Sequence, residues 1–344
     1  MFFSTFAPIP LSLIALAAIT DASPSLHQLA LRDTMAYNVL DGQNFPDPSS
    51  ITIGGVTYVF GTTTAGLNIA MTKNKNFDDS GTWDQTLEDP FPTDNVPAYS
   101  NWATADTTWA PDVSQLTDYD GSFAMYYAAA LKSNSAVHCT GLARSGTVTG
   151  PYNDSSTEPM ICPESAGGAI DASGFLDPTS KLRYVVYKID GPAANNGGYC
   201  ASTSYTSPNT SLMLIQTESD GYTRVAGPVN LYNNDGVADS YNIEAPVIRY
   251  SGGTYFLFFS SGCTSSNSYT VSYVTATNIW GPYGDRKLLL GTGDDGLYGP
   301  GGATPDSATG NFVYHSLEQS NNIGAGRQLN TASWAANGDS ITLS

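Results

Sequence analysis

Five short apolar runs rich in aromatic residues recur along the chain: TYVFGT at 57–62, SFAMYYAA at 122–129, RYVVYK at 183–188, TYFLFFSS at 254–261 and NFVYHS at 311–316. Each follows a Pro, Gly or acidic start, a short strand and a turn, so the chain reads as one supersecondary unit repeated. With Asp47, Asp112, Asp171, Glu244 and Gly301 as markers, the steps are 65, 59, 73 and 57 residues, which makes five units. Further strands fit between the markers, among them LNIAMTK, VHCTGLARS, LMLIQTES and YTVSYVTA. TGPY at 149–152 and WGPY at 280–283 follow such strands at matching places in units two and four. No long amphipathic helix is found. Short strands at regular spacing with turns between them predict an all-β chain, a single five-bladed β-propeller of four-stranded blades over residues 33–344.

Composition agrees. In 344 residues, 41% are hydrophobic, 34 are Gly and 21 are Tyr, while only 13% are charged, which suits a turn-rich β protein with a substantial core. A net charge of −18 repels phosphate backbones and anionic lipid and so argues against nucleic acid and membrane partners.

Residues 1–23 hold a short apolar stretch from Leu11 to Ile19 followed by small residues. That pattern predicts a secretory signal peptide, and the stretch is too short to span a membrane. A secreted, extracellular chain is expected. Four cysteines, Cys139, Cys162, Cys200 and Cys263, are an even count that favours two disulfides. Closeness in sequence favours Cys139 with Cys162 and Cys200 with Cys263. A zinc site is the rival, but no Cys-x-x-Cys spacing exists. Asn153 and Asn209 begin glycosylation sequons.

Asp47 sits between Pro46 and Pro48, a stiff frame that suits either a turn or a catalytic group. The first strand of each propeller blade lines the central channel, so Asp47, Asp171 and Glu244 are expected to converge on one pocket. Carboxylates brought together shift one another's pKa, and such clusters gather at functional sites.

The motifs PDPS with Asp47, WAPDV with Asp112, AIDASGFLD with Asp171, EAPVI with Glu244 and GRQLN with Arg327 occur in that order. Over roughly residues 38–344 the chain resembles glycoside hydrolase family 43, secreted five-bladed propellers that cut arabinose- and xylose-containing polysaccharides. The resemblance implies that Asp47 is the general base, Glu244 the general acid, and Asp171 the group that orients the acid and raises its pKa. Inversion needs such a pair about 6.5–9.5 Å apart, with a water between. It also implies a plant cell-wall polysaccharide or oligosaccharide as partner and a monomer. Relatives commonly carry a His in the fifth unit, often involved with a metal or water at the axis. Here GPGGA puts Gly301 and Gly302 there, which argues against a structural calcium, and no cofactor is expected.

Trp109 is a candidate for stacking on a sugar or filling the channel wall, and Arg327 for bonding sugar hydroxyls or pairing with a carboxylate. Asp112 is expected to serve structure. His315 and His138 read as ordinary strand residues, and His27 as uninvolved. The tracts 86–101 and 190–204 read as long loops near the pocket mouth. An α-L-arabinofuranosidase is the favoured activity, with an endo-1,5-α-L-arabinanase or a β-xylosidase as alternatives on the same fold. A carbohydrate-binding propeller without catalysis is the alternative of another class. A fructan-cleaving relative would show RDP and EC where this chain has IDA and EAP.

Overall fold

The computed structural model describes residues 1, 35–75, 77, 83–92, 101–191, 210–306 and 308–344. The leader beyond Met1, His27, Cys200, Asn209 and much of both long loops lie outside the described residues.

Among the described residues, eighteen strands form five antiparallel sheets. The first is β1 (Ser49–Ile53), β2 (Val56–Gly61) and β3 (Ala70–Asn74). The second is β4 (Ala103–Gln115), β5 (Phe123–Leu131) and β6 (His138–Ser145). The third runs β7 (Ala169–Leu176), β8 (Arg183–Ile189), β9 (Ser211–Thr217) and β10 (Arg224–Asn233). The fourth has β11 (Ile243–Ser251), β12 (Thr254–Ser261), β13 (Thr270–Ala276) and β14 (Lys287–Leu290). The fifth has β15 (Tyr298–Pro305), β16 (Asn311–Gln319), β17 (Asn322–Asn337) and β18 (Ser340–Leu343).

These are the five blades, and each aromatic run is the second strand of its blade. The expectation of four strands everywhere needs correcting. In blades 1 and 2 the outer position is reduced, among the described residues, to isolated bridges, Met71 with Glu88 and Arg144 with Asn153. The segments that would supply the missing strands carry Pro90, Pro92, Pro151 and Pro159, and proline cannot donate to a ladder.

The second strands are apolar on both faces because each is packed on two sides. Val59 lies in the cluster shared with blade 5 and Phe60 in the cluster shared with blade 2. On β5, Met125 and Tyr127 face blade 1 while Ala124 and Tyr126 face blade 3. On β12, Leu257 and Phe259 face blade 3 while Phe256 and Phe258 face blade 5. Side chains alternate with period two, so every second strand feeds two neighbouring cores.

The ring is closed by its two ends. Backbone N–H groups of Ala36, Val39 and Phe45 donate to the carbonyls of Thr331, Leu329 and Arg327 on β17, at 2.9, 3.0 and 2.8 Å. Phe45 and Leu40 are fully buried against Val313 and Leu329. The same pairing sets Asp47 close to Arg327.

The innermost strands share one local device. Asp47, Ala110, Asp171, Ala245 and Gly302 all have left-handed backbone, with φ of 52, 42, 55, 51 and 59°. In blades 2 to 5 the ladder skips across this point, between Trp109 and Asp112, Ile170 and Ser173, Glu244 and Val247, and Gly301 and Thr304. The bulge turns the skipped residues toward the axis. There the triplets Asp47-Pro48-Ser49, Ala110-Pro111-Asp112, Asp171-Ala172-Ser173, Ala245-Pro246-Val247 and Gly302-Ala303-Thr304 line one cavity. This corrects the phase of the repeat: Glu244 lies one residue before the bulge position, Asp112 two after it, and Gly301 one before. Aligning the units on Pro48, Pro111 and Pro246 instead of on acidic residues would have found it.

Candidate active site

In four of the five inner strands the backbone N–H at this position is accepted by a side chain of a neighbouring strand or loop. Asp47 N–H donates to His315 Nδ1 at 2.9 Å, Ala110 N–H to Thr62 Oγ1 at 3.0 Å, Ala245 N–H to Asp171 Oδ2 at 2.8 Å, and Gly302 N–H to Ser260 Oγ at 2.9 Å. The same geometry that strains the backbone therefore ties Asp47 and Asp171 to their neighbours.

The Asp47 carboxylate is held from both sides. Thr62 Oγ1 donates to Oδ2 at 2.6 Å and Arg327 Nη1 to Oδ1 at 2.8 Å, while Arg327 also reaches Thr264 Oγ1 at 3.0 Å. His315 Nδ1 lies 3.6 Å from Oδ1. The side chain remains partly open to solvent, at 23%.

Glu244 is held by donors on one oxygen. Lys188 Nζ lies 3.0 Å and Asn242 Nδ2 2.9 Å from Oε2, and the Tyr269 hydroxyl also hydrogen-bonds the carboxylate. Lys188 stands on β8 opposite Ile170, the residue before Asp171, which brings its ammonium to the same end of the channel. It is nearly fully buried and also lies 3.4 Å from Asp190 Oδ1.

These contacts divide the protons. Burial, with the charge of Glu244 behind it, pushes the Asp171 carboxyl up from its ordinary 3.8 to about 7, against the pull of Lys188 and the Ala245 N–H. For Glu244, burial opposes ionisation, but the Lys188 charge and the hydrogen bonds from Asn242, Tyr269 and Lys188 outweigh it and hold the carboxyl below its ordinary value. Burial lowers Lys188, but the surrounding Glu244, Asp190 and Asp171 charges more than offset this and raise it. Between the ordinary glutamate value of 4.5 and about pH 7 the pair's one proton thus rests on Asp171, with Glu244 ionised against Lys188.

Asp112 lies deeper. It accepts from Ser49 Oγ at 3.3 Å, Ser173 Oγ at 3.2 Å and the Gly174 N–H at 3.0 Å, so it braces blades 1, 2 and 3. Burial raises its carboxyl. Trp109 is half-buried, one face covered by the His138 ring at 4.0 Å between centroids. His138 is thus not an ordinary strand residue, since its Nδ1 lies 4.0 Å from Asp190 Oδ2.

His315 also needs correcting. It is fully buried on β16, opposite Gly301, and stacks on Tyr269 with 5.7 Å between centroids and 9° between planes. The glycine pair makes room for this stack. A Cβ on Gly301 would lie 1.9 Å from the Tyr269 ring, and one on Gly302 would lie 2.9 Å from the His315 ring. Burial first, then the Arg327 charge, hold His315 well below its ordinary pKa and so neutral. Its Nδ1 is committed as acceptor from Asp47, which puts the ring proton on Nε2. Nε2 is then a buried donor with no protein partner among the described residues. Among the described residues no three His, Cys, Asp or Glu side chains form a metal-binding group. No step below is routed through a metal.

The sequence reading missed Lys188, Asn242, Tyr269 and Asp190. Lys188 carried a signal, as the one charged residue closing the buried run YVVYK. Tyr269 carried an indirect one, since two adjacent glycines in an inner strand leave space for a ring.

The sequence model described as "Glycosyl hydrolases family 43" matches residues 37–339. The chain belongs to glycosyl hydrolase family 43. Among curated proteins, this family 43 chain is 29% identical over 266 residues to an extracellular endo-α-(1→5)-L-arabinanase of Bacillus subtilis, covering 70% of this chain and 50% of the relative. It is 26% identical over 239 residues to the β-D-galactofuranosidase xynD of Aspergillus niger, covering 64% of this chain and 58% of the relative. The chain thus spans about half the length of the curated relatives it matches. Among solved structures, an endo-1,4-β-xylanase from Bacteroides thetaiotaomicron superposes with a TM-score of 0.69 at 18% identity, over 90% of this chain and 97% of that one. At that identity the likeness is one of fold. Among the described residues no helix is long and apolar enough to cross a membrane.

Proposed function

We propose that this family 43 chain is a secreted, inverting glycoside hydrolase that releases L-arabinofuranose from arabinan or arabinoxylan. The observation that carries the reading is the unequal treatment of three carboxylates at one end of the channel. Asp47 is fixed by Thr62 and Arg327 while its side chain stays open to solvent. Asp171 and Glu244 together hold one proton below about pH 7. Inversion needs this set, a base for water and a proton for the leaving oxygen.

In the proposed reaction Asp47 takes a proton from the water as its oxygen bonds to the anomeric carbon. The glycosidic C–O bond breaks with inversion, and the leaving oxygen receives the one proton that the pair holds, passed from Asp171 through Glu244. Arg327 fixes the base by its bond to Asp47, and Trp109 offers its uncovered face to a sugar. No cofactor enters, so a chelator should leave the turnover rate unchanged within error; loss restored by calcium would overturn that part.

The likeness to endo-arabinanases favours a second reading, internal cleavage of arabinan. Incubation with linear arabinan, arabinoxylan and aryl arabinofuranosides, with products resolved by size, separates the two. Monomer alone supports release from chain ends, and a ladder of oligomers supports internal cleavage. Proton NMR of the first product should show an inverted anomer, and retention would remove Asp47 from the role of base. Glu244→Gln should slow arabinan by about 10²–10⁴-fold but aryl substrates much less. Export is supported by the leader, by the Cys139–Cys162 disulfide and by the exposure of Asn153. Amino-terminal sequencing of the protein from culture medium tests it.

A further inference from the structure

We propose that Lys188 is a positioning residue for the proton donor, a buried cation that ties Glu244 to Asp190 across blades 3 and 4 and fixes the pH at which the donor loses its proton. The inference rests on Glu244 being that donor. A bare structural ion pair would be a weaker account of the geometry. Lys188 has its side chain 4% exposed, and its ammonium lies 3.0 Å from Glu244 and 3.4 Å from Asp190. The Glu244 oxygen it touches is the one that Asn242 also holds, so the two donors together fix the rotamer of the carboxylate.

The groups around Glu244 pull in opposite directions. From β7, Asp171 holds the pair's proton up to about pH 7, raised by burial and by the Glu244 charge, and presents a like charge only above that. From β8, Lys188 favours the anion, and Asp190 beside it partly offsets the Lys188 charge; His138 lies 4.0 Å from Asp190. From the loop before β13, the Tyr269 hydroxyl donates to Glu244 and favours the anion. From β16, His315 is neutral, and from the start of blade 1 Asp47 has its charge met by Arg327. Lys188 is therefore the one full positive charge in contact with Glu244 among the described residues. Without it, the Asp171–Glu244 pair should keep its proton to higher pH.

The test is the pH profile of kcat/KM for the wild type, Lys188→Met and Lys188→Gln, on the natural glycan that the wild type cleaves and on a dinitrophenyl arabinofuranoside. On the glycan both variants should move the alkaline midpoint up by about one pH unit or more. On the dinitrophenyl substrate, whose leaving group departs without a proton, the midpoint should not move. Lower rates at every pH with both midpoints in place would reduce Lys188 to a structural ion pair and overturn the inference. The carboxyl 13C resonance of Glu244, assigned by difference with Glu244→Gln, gives a reading independent of substrate. In the wild type it should titrate below the ordinary glutamate value of 4.5. Titration above that value overturns the inference even if neither variant folds. If the wild type cleaves no pentosidic substrate, the proposed function falls while this titration still decides the placement of the charge.

Discussion

At the residue scale, Asp171 separates two roles. It is the group that binds a proton near neutral pH, and it accepts the N–H of the residue after Glu244. With Asn in its place the pair has no proton to share, and Glu244 beside Lys188 stays ionised. Asp171→Asn should therefore slow hydrolysis of a natural glycan by about 10²–10⁴-fold and move the alkaline limb toward acid. Adding Lys188→Met should restore part of the loss, because the cation that holds Glu244 ionised is gone. The same substitution has a stability signature. Folded Asp171 titrates at about 7 against an ordinary 3.8, so its favourable contribution is full below pH 3.8 and lost as pH rises through about 7. The variant should gain melting temperature relative to wild type as pH rises from 4 to 8. A constant difference would mean that Asp171 does not carry the raised pKa. Asp47, Asp171 and Glu244 were legible because each stands beside a proline or strand start that the chain repeats. Lys188, Tyr269 and His315 come from other strands and a loop, and nothing local to their own sequence marks what they touch.

At the scale of the element, the bulge in the inner strand does most to build the site. It was legible as a Pro-marked strand start in three units, but not in phase, because the acidic residues fall at three different positions around it: Glu244 before, Asp47 and Asp171 on, and Asp112 after. Gly302 tests what the bulge demands. Its φ is +59°, and a Cβ there meets the His315 ring at 2.9 Å, whereas Gly253, at φ +91°, has nothing within 4 Å. Gly302→Ala and Gly253→Ala should both lose about 1–3 kcal/mol of stability from backbone strain. Only Gly302→Ala should also lose kcat, because a displaced His315 no longer accepts the Asp47 N–H. Equal kcat in both variants, measured at a temperature where each is folded, would sever His315 from any effect through Asp47.

At the scale of the whole molecule, five blades and their order could be read from the aromatic runs, since a strand packed on two sides must be apolar throughout. The closure of the ring could not. It joins residues 36–45 to β17, and its backbone bonds leave no sequence pattern. Closure makes Asp47 depend on a distant contact: Phe45, two residues before it, is fully buried, and its N–H donates to the carbonyl of Arg327, the residue that holds the Asp47 carboxylate. Phe45→Ala should cost about 3–5 kcal/mol if the whole ring unfolds as one unit, because it empties part of the core between blades 5 and 1. The seam has few bonds compared with a blade, so in the variant, with Phe45 gone from it, it should open before the blades melt. Activity of the variant should then be lost on heating at a lower temperature than the near-ultraviolet circular dichroism signal of the remaining tyrosines and tryptophans, while in the wild type the two curves coincide. Coincident curves in the variant, both shifted down, would show that the seam and the blades unfold together. Unshifted curves would remove Phe45 from the closure altogether.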